Sequence, residues 1–367
     1  MNTEKNKLSN KSKVAQAIQR NSEISKPEIA ARLGLSMPTV LQIVKNLIDD
    51  GLVIESGKQK SNGGRKAAAL SISENYGFSC GIDITANHIS FVLLNLQGNT
   101  AAKKRIKSPY ENSRAYYEFV CRELEEFTSE NETKLSKIIG VGISLPGIID
   151  KENDILIRSH ILRQDNVSLK GLRQIFPCPI AFENDANSAL LAEMNNINTN
   201  TVYLSLSNSV GGAICIDNEI YRGDLFKSAE FGHIIVVPGG RKCYCGKKGC
   251  ADAYCSAQVL LKYADSIESF FEKLDGGDAN ANNAWEEYLG YLALLISNLR
   301  MAFDCDIMLG GYVGGYMKKY MRDLGQRVVQ NNMFESDTLY LKNCKYESEA
   351  SAVGAAMHFI DEFFITL

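Results

Sequence analysis

The spacing of apolar positions changes as the chain is followed from its N-terminus. Val14 and Ile18 mark the stripe of a first helix, Ile29 and Leu33 that of a second, and Val40, Ile43, Val44, Leu47 and Ile48 the buried face of a third. Ser25, with Pro27 and Glu28 in the turn after it, predicts the start of the second helix, and Gly34 its stop. Ser36 followed by Pro38 predicts the start of the third. After Gly51 the period shortens: "LVIES" and "AAALSIS" read as strands flanking "GKQKSNGGRK", a basic, glycine-rich hairpin tip. From about residue 76 strands and helices alternate. "GFSCGIDI", "ISFVLLNLQGN" and "AAKKRIKS" predict three strands with a turn at Gly98-Asn99, residues 115–129 a helix, and "IIGVGISLPGIID" a further strand. "TVYLSLSNSVGGAICIDNEIYRG" echoes that opening, which predicts two similar lobes with a ligand cleft between them. "CDIMLGGYVGG" reads as a late strand running into a glycine-rich turn, and "ASAVGAAMHFIDEFF" as a closing helix.

Composition narrows the class. A chain of 367 residues, 45% hydrophobic and 23% charged, has the make-up of a soluble globular protein with two or three compact units. "MNTEKNKLSNKSK" carries no secretory signal, and no apolar run is long enough to span a bilayer, so the expectation is a cytoplasmic protein without membrane contact. In that compartment clustered Cys residues mean metal or reactivity rather than disulfides. The net charge of −3 conceals an asymmetry: residues 1–70 hold 12 Lys and Arg against 6 Asp and Glu, the remainder 28 against 37. A basic head on an acidic body suggests that only the head meets a polyanion; a merely solvated charged surface is the alternative.

The head is specific enough to weigh these. Two short helices around Gly34 followed by a basic wing form a winged helix-turn-helix pattern. Ser36 opens its second helix, and Pro38, Thr39, Gln42 and Lys45 fall opposite the apolar face, residue types that reach base edges and phosphates. Lys58, Lys60 and Arg65 lie on the wing, able to touch the backbone or minor groove of operator DNA.

"GHIIVVPGGRKCYCGKKGC" gathers His233, Cys243, Cys245 and Cys250 within nineteen positions. Three thiolates and an imidazole are the closed donor set of a structural zinc site, with no position left for a hydrolytic water. Cys243 and Cys245, one residue apart, are poorly placed to bridge each other.

The body resembles the ROK family (repressors, open reading frames and sugar kinases). "GIDI", "SLPGIID", "FENDANSALLAE", "EFGHI", "CYCGKKGCADAY", "LGGYVGG" and "VGAAM" carry the resemblance in family order across residues 76–367, and "GGRKAAALSI" resembles the joining stretch of its DNA-binding branch. The resemblance implies an α/β fold: a winged helix-turn-helix over 1–75, then a two-lobed actin/hexokinase-like (ribonuclease H-like) body. Its first lobe spans 76–195, joined by the C-terminal helix at 350–367, and its second, with the zinc motif, spans 196–349. It implies that Glu230 and His233 contact sugar hydroxyls, the zinc bracing His233 while its other ring nitrogen stays free. Asn184 and Asp185 stand where the family binds sugar; in its kinases this Asp deprotonates the hydroxyl that attacks ATP. Asp252 replaces the usual sugar-holding Glu, His160 replaces an Asn, and Gly147 belongs to a Pro-Gly turn able to approach the ligand closely. The phosphate side departs from the kinase pattern: "DITAN" keeps Asp83 but puts Thr85, Ala86 and Asn87 in place of Gly-Gly-Thr, and "SNSVGGA" keeps Gly211 and Gly212 without the glycines before them. The reading is a non-catalytic, sugar-responsive repressor acting as a homodimer or homotetramer. The alternatives are an ATP-dependent sugar kinase with an appended DNA-binding head, in which Asp185 would be the base, and a DNA-binding protein whose body serves only assembly.

Overall fold

The computed structural model describes residues 8–21, 23–58, 68–133, 135–194, 197, 199–346 and 349–367. Lys60 and Arg65 lie outside the described residues.

Side-chain caps set the helices of the head. Ser9 Oγ accepts the Ser12 N–H at 2.9 Å and opens α1 (Asn10–Arg20). A capping box starts α2 (Lys26–Leu33), where the Ser25 N–H donates to Glu28 Oε2 at 2.8 Å. Gly34, at φ +62°, ends that helix in a left-handed turn open to glycine. Ser36 Oγ accepts the Thr39 N–H at 3.3 Å and caps α3 (Met37–Asp49). Val14, Ile18, Ile29, Val40, Val44 and Leu47 are fully buried between these helices. The antiparallel ribbon of β1 (Val53–Lys58) and β2 (Ala68–Ile72) completes the winged helix-turn-helix.

The body repeats one sheet. β3 (Phe78–Ile84), β4 (His88–Asn95) and β5 (Thr100–Lys107) form an antiparallel meander, followed by α4 (Arg114–Glu130). β6 (Ile138–Leu145) then pairs parallel to β3. A small sheet of β7 (Ile148–Asp150), β8 (Ile155–Ser159) and β9 (Gln164–Ser168) projects from it. β10 (Ile180–Asn184) returns beside β6 and leads directly into α5 (Asp185–Glu193). The resulting order is β10-β6-β3-β4-β5. Every residue of β3 is buried, as expected of a central strand covered on both faces.

The second lobe opens with β11 (Thr201–Leu206), β12 (Val210–Ile216) and β13 (Glu219–Ile220). Four helices follow: α6 (Asp252–Cys255), α7 (Ala257–Leu260), α8 (Ile267–Asp275) and α9 (Ala279–Phe303). β14 (Asp306–Gly310), α10 (Gly311–Gly314), α11 (Met321–Asn331) and β15 (Leu341–Asn343) complete it. Its order, β13-β12-β11-β14-β15, with the first three strands antiparallel and the last two joining in parallel, repeats that of the first lobe. The fold is α/β, and the two lobes anticipated from the echoed strand pattern are present.

The closing helix, α12 (Ala350–Thr366), lies against both neighbours at backbone distance. A Cβ on Gly81 would sit 1.7 Å from Ala352 O, one on Gly142 1.9 Å from Ala355 O, and one on Gly354 1.5 Å from Ser188 O in α5. Ser79 Oγ donates to Ala356 O at 2.8 Å and Ser351 Oγ to Asp185 O at 3.0 Å. At its far end Ile360 and Phe364 share an apolar cluster with Val14 and Ile18 of the head, and Ser12 Oγ donates to Ile365 O at 3.2 Å. One helix thus touches sheet, α5 and head.

Gly354→Ala should destabilise the protein by about 2 kcal/mol or more in urea unfolding, because the added methyl meets backbone that cannot swing aside. Gly290→Ala, in an exposed turn of α9 with nothing within 4 Å, should stabilise it by about 0.5–1 kcal/mol. Equal effects at the two positions would contradict the packing described.

Candidate ligand cavity, metal group and nucleic-acid interface

Between the lobes lies a cavity of about 500 Å³. Its first wall is the Pro146-Gly147 turn after β6. Gly147 has φ +132°, and a Cβ there would lie 2.4 Å from Arg158 O, so the turn requires glycine. The second wall is the junction of β10 and α5. Asn184 caps α5 by accepting the N–H groups of Ala186 (2.9 Å) and Asn187 (3.0 Å), while its Nδ2 donates to Gly147 O (2.9 Å) and Asp185 Oδ1 (3.0 Å). Those bonds use the whole capacity of an amide side chain. Asn184 therefore lines the cavity but works by fixing Asp185 and the Gly147 turn. Behind it, Glu183 is buried between Lys151 Nζ (2.9 Å) and Arg222 Nη2 (2.6 Å). Burial works against its charge, but the two cations hold its carboxyl below the ordinary range. Since Arg222 follows β13, this ion pair joins the lobes behind the cavity.

The third wall is the loop carrying Glu230 and His233. A short 3-10 turn over Phe231–His233 puts the two on one side, Glu230 Oε2 lying 4.0 Å from His233 Nε2. The His233 ring packs 6.2 Å from that of His160 and 5.3 Å from that of Tyr244, whose hydroxyl lies 3.3 Å from His233 Nε2. Gly147, His160, Asn184, Asp185, Glu230 and His233 all line this cavity. Asp252 does not. Against the expectation that it holds ligand, it is buried in the first turn of α6 and its Oδ1 accepts the Val210 N–H at 2.7 Å. That oxygen fixes the start of β12. Arg222, Lys227, Tyr244 and Lys247 line the cavity without having been singled out; of these, Tyr244 and Lys247, each between two metal-type cysteines, had a signal in the sequence.

His233, Cys243, Cys245 and Cys250 converge on one point. Their donor atoms lie within 4.8 Å of one another, with His233 Nδ1 3.8 Å from Cys243 Sγ and Cys245 Sγ 3.7 Å from Cys250 Sγ. Thiolates about 2.3 Å from a tetrahedral ion stand about 3.8 Å apart, close to the separations seen here, so the group could hold a metal ion. Nδ1 faces the thiols, leaving Nε2 turned toward Tyr244 and Glu230.

A second hollow, about 170 Å³, lies on the other side of Asp185, lined by Asp83, Thr85, Arg105, Ser207 and Tyr312 among others. Its β3–β4 turn is self-contained: the Thr85 N–H donates to His88 O at 2.9 Å, and Thr85 Oγ1 accepts the His88 N–H at 3.1 Å. Arg105 Nη2 reaches the Tyr312 hydroxyl at 3.4 Å, linking β5 to α10 across the opening. Gly212 serves packing: a Cβ on it would lie 2.3 Å from the Phe231 ring.

On the head, Ser36, Pro38, Gln42 and Lys45 are exposed; Thr39 is half-buried, its hydroxyl 2.8 Å from Ser36 Oγ. Gln42 Nε2 donates to Asn46 Oδ1 at 2.9 Å. Met37 and Leu41 were missed: 39% and 47% exposed, they lie two turns and one turn before Lys45 on the same face, and are of the residue type that can meet thymine methyls. Lys58 ends β1, its backbone paired with Ala68.

Residues 79–362 match the model of the ROK family, and residues 10–54 that of a winged helix-turn-helix DNA-binding domain. The chain belongs to the ROK family. A xylose repressor of Bacillus spizizenii is 30% identical over 299 residues, covering 78% of this ROK chain and 77% of that protein. The fold is similar to that of a ROK family transcriptional regulator, a homologue of the E. coli MLC protein, with TM-score 0.76 and 21% identity over 97% of this chain and 96% of that one. A ROK glucokinase from Streptomyces griseus in complex with glucose and AMPPNP is similar at TM-score 0.62 and 23% identity, over 77% of this chain and 99% of its own. No helix among the described residues is long and apolar enough to cross a membrane.

Asp83 and Asp185 give this ROK body a pH signature. Burial, then the charge of Asp185, pushes Asp83 up to about 7, and burial pushes Asp185 up to about 6. Both lie above the roughly 3.9 of an unfolded Asp. The folded state therefore binds more protons, and this contribution to stability is complete below about pH 4 and lost as the pH rises through the folded values. Asp83→Asn should raise Tm over the parent at pH 8, with a gain that shrinks by pH 5. An equal gain at both would show that burial of the charge is not the cause.

Proposed function

We propose that this protein is a sugar-responsive repressor: residues 1–75 bind operator DNA, and the cavity between a first lobe (76–195 with 350–367) and a second (196–349) binds a sugar. The observation that carries the reading is α12, which bonds to Asp185 O at one end and packs on the DNA-binding head at the other. The names of its repressor relatives support the same assignment.

Zinc is the ion that suits the Cys243, Cys245, Cys250 and His233 group, since its four donors close a tetrahedron. Bound there, it would be structural, holding the 233–250 loop as one piece. The rest is done by this chain's residues. His233 presents Nε2 toward the cavity; burial, then His160 and Lys247, hold its imidazole below the ordinary range, so the ring is offered neutral. Asp185 and Glu230 accept hydroxyl hydrogens, and Asn184 keeps Asp185 aimed. Because these groups come from both lobes, a bound sugar favours one closure, and that closure shifts α5 and the α12 beside it. In a homodimer the shift changes the spacing of two heads on two half-sites.

A kinase reading would make Asp185 a base. The 170 Å³ hollow is smaller than the roughly 300 Å³ of ordinary ligand pockets, and the Thr85 turn spends its amide on itself. Both support a body that does not transfer phosphate.

The test is site selection on random DNA with the full-length protein, then release of the selected duplex by a sugar panel, with ATP turnover followed in parallel. Selective binding relieved by at least one sugar, without turnover, is expected; sugar-dependent ATP consumption lost in Asp185→Asn would overturn the reading. Binding should fall steeply with salt, and Lys45→Ala should make the slope shallower by about one unit, against no change if α3 is off the duplex. Metal analysis should find about one zinc per chain, absent from Cys250→Ser, which should lose sugar release before it loses DNA binding. A metal-free protein that still responds to sugar would defeat that assignment.

A further inference from the structure

The charges on the cavity wall say more about its occupant. Arg158, Arg222, Lys227 and Lys247 line it, against the carboxylates Asp185 and Glu230. Two of the cations are already matched: Arg158 Nε lies 2.7 Å from Asp165 Oδ1, and Arg222 Nη2 lies 2.6 Å from Glu183 Oε2. Lys227 and Lys247 have no ion pair among the described residues. They enter from different loops, Lys227 before Glu230 and Lys247 beyond Cys245. A fifth feature is polar: Arg222 Nε is buried without a hydrogen-bond acceptor. A neutral sugar offers hydroxyls that the carboxylates and His233 can meet, and leaves the two exposed ammonium groups of Lys227 and Lys247 to solvent. The cavity also has room to spare: about 500 Å³ falls among pockets that enclose ligands larger than one sugar ring.

We propose that the cavity takes an anionic sugar, a phosphate ester or a uronate, with Lys227 and Lys247 receiving the negative group while Asp185, Glu230 and His233 face the ring hydroxyls. The proposal rests on the sugar-sensing reading above. The cationic side chains supply charge-assisted hydrogen bonds and draw the ligand in. His160 shares this wall, its ring 6.2 Å from that of His233.

Calorimetry and thermal shift with the full-length, metal-replete protein decide the matter. The panel is glucose, galactose and mannose, each with its 6-phosphate and its uronate, and inorganic phosphate alone. At least one anionic sugar should bind about tenfold or more tightly than its neutral parent, with a preference that weakens as ionic strength rises. Whether phosphates or uronates carry the gain identifies the source of the charge. In Lys227→Gln/Lys247→Gln, with zinc content checked, the ratio of anionic to neutral affinity should fall to within about threefold of unity. Neutral parents binding as tightly as their anionic forms would overturn the proposal and leave the sensor reading standing. A preference that survives in the double variant, or inorganic phosphate binding as tightly as a sugar phosphate, would overturn the assignment to these lysines. No binding by any sugar, neutral or anionic, would bring down the sensor reading as well.

Discussion

The structure depends on backbone meeting backbone along α12. Glycines at 81 and 142 let the helix lie on the central sheet, and Gly354 lets it lie on α5, at separations that any Cβ would abolish. Side chains cannot be interposed there, so the helix cannot slide independently of the strands and α5. The same helix then presents Ile360 and Phe364 to the head. Close packing of this kind has few intermediate arrangements, which is the property a two-state relay needs.

Around that frame the body has divided its two hollows. One is lined by groups with hydrogen-bonding capacity left over, among them Asp185, Glu230, His233 Nε2 and the lysines. In the other, Thr85 is satisfied within its own turn and Arg105 meets Tyr312 across the opening. Glu183, held ionised between Lys151 and Arg222, ties the lobes behind the first hollow. Lys151 meets Glu183 from the same lobe, whereas Arg222 reaches it from the other, so the Arg222 contact is the one that constrains how far the lobes part.

Much of this was legible in the residues. Ser25, Gly34 and Ser36 announce the helix-turn-helix because capping and left-handed turns are local chemistry. The doubled sheet is visible as a repeated strand pattern, and the Cys₃His group as a spacing. What could not be read was where side chains point once distant segments meet. Asp252 matches a sugar-holding position in sequence, yet it lies off the cavity wall and its Oδ1 accepts the Val210 N–H forty-two residues away. Asn184 looks like a ligand contact and turns out to be saturated by a helix cap and a turn. Arg222, Lys227 and Lys247 stand in stretches without periodicity; only the fold brings them to one wall. Met37 and Leu41 fall outside the apolar stripe of the third helix, and only the folded head shows them exposed beside Lys45.

The proposed sensor role requires cavity and DNA-binding head to share one equilibrium. Its most direct test is reciprocal titration: operator affinity with and without saturating sugar, and sugar affinity with and without operator. The same factor is expected in both directions, as linkage requires, and it should fall toward one when Phe364→Ala loosens α12 from the head. A sugar that binds tightly while operator affinity stays unchanged would contradict it.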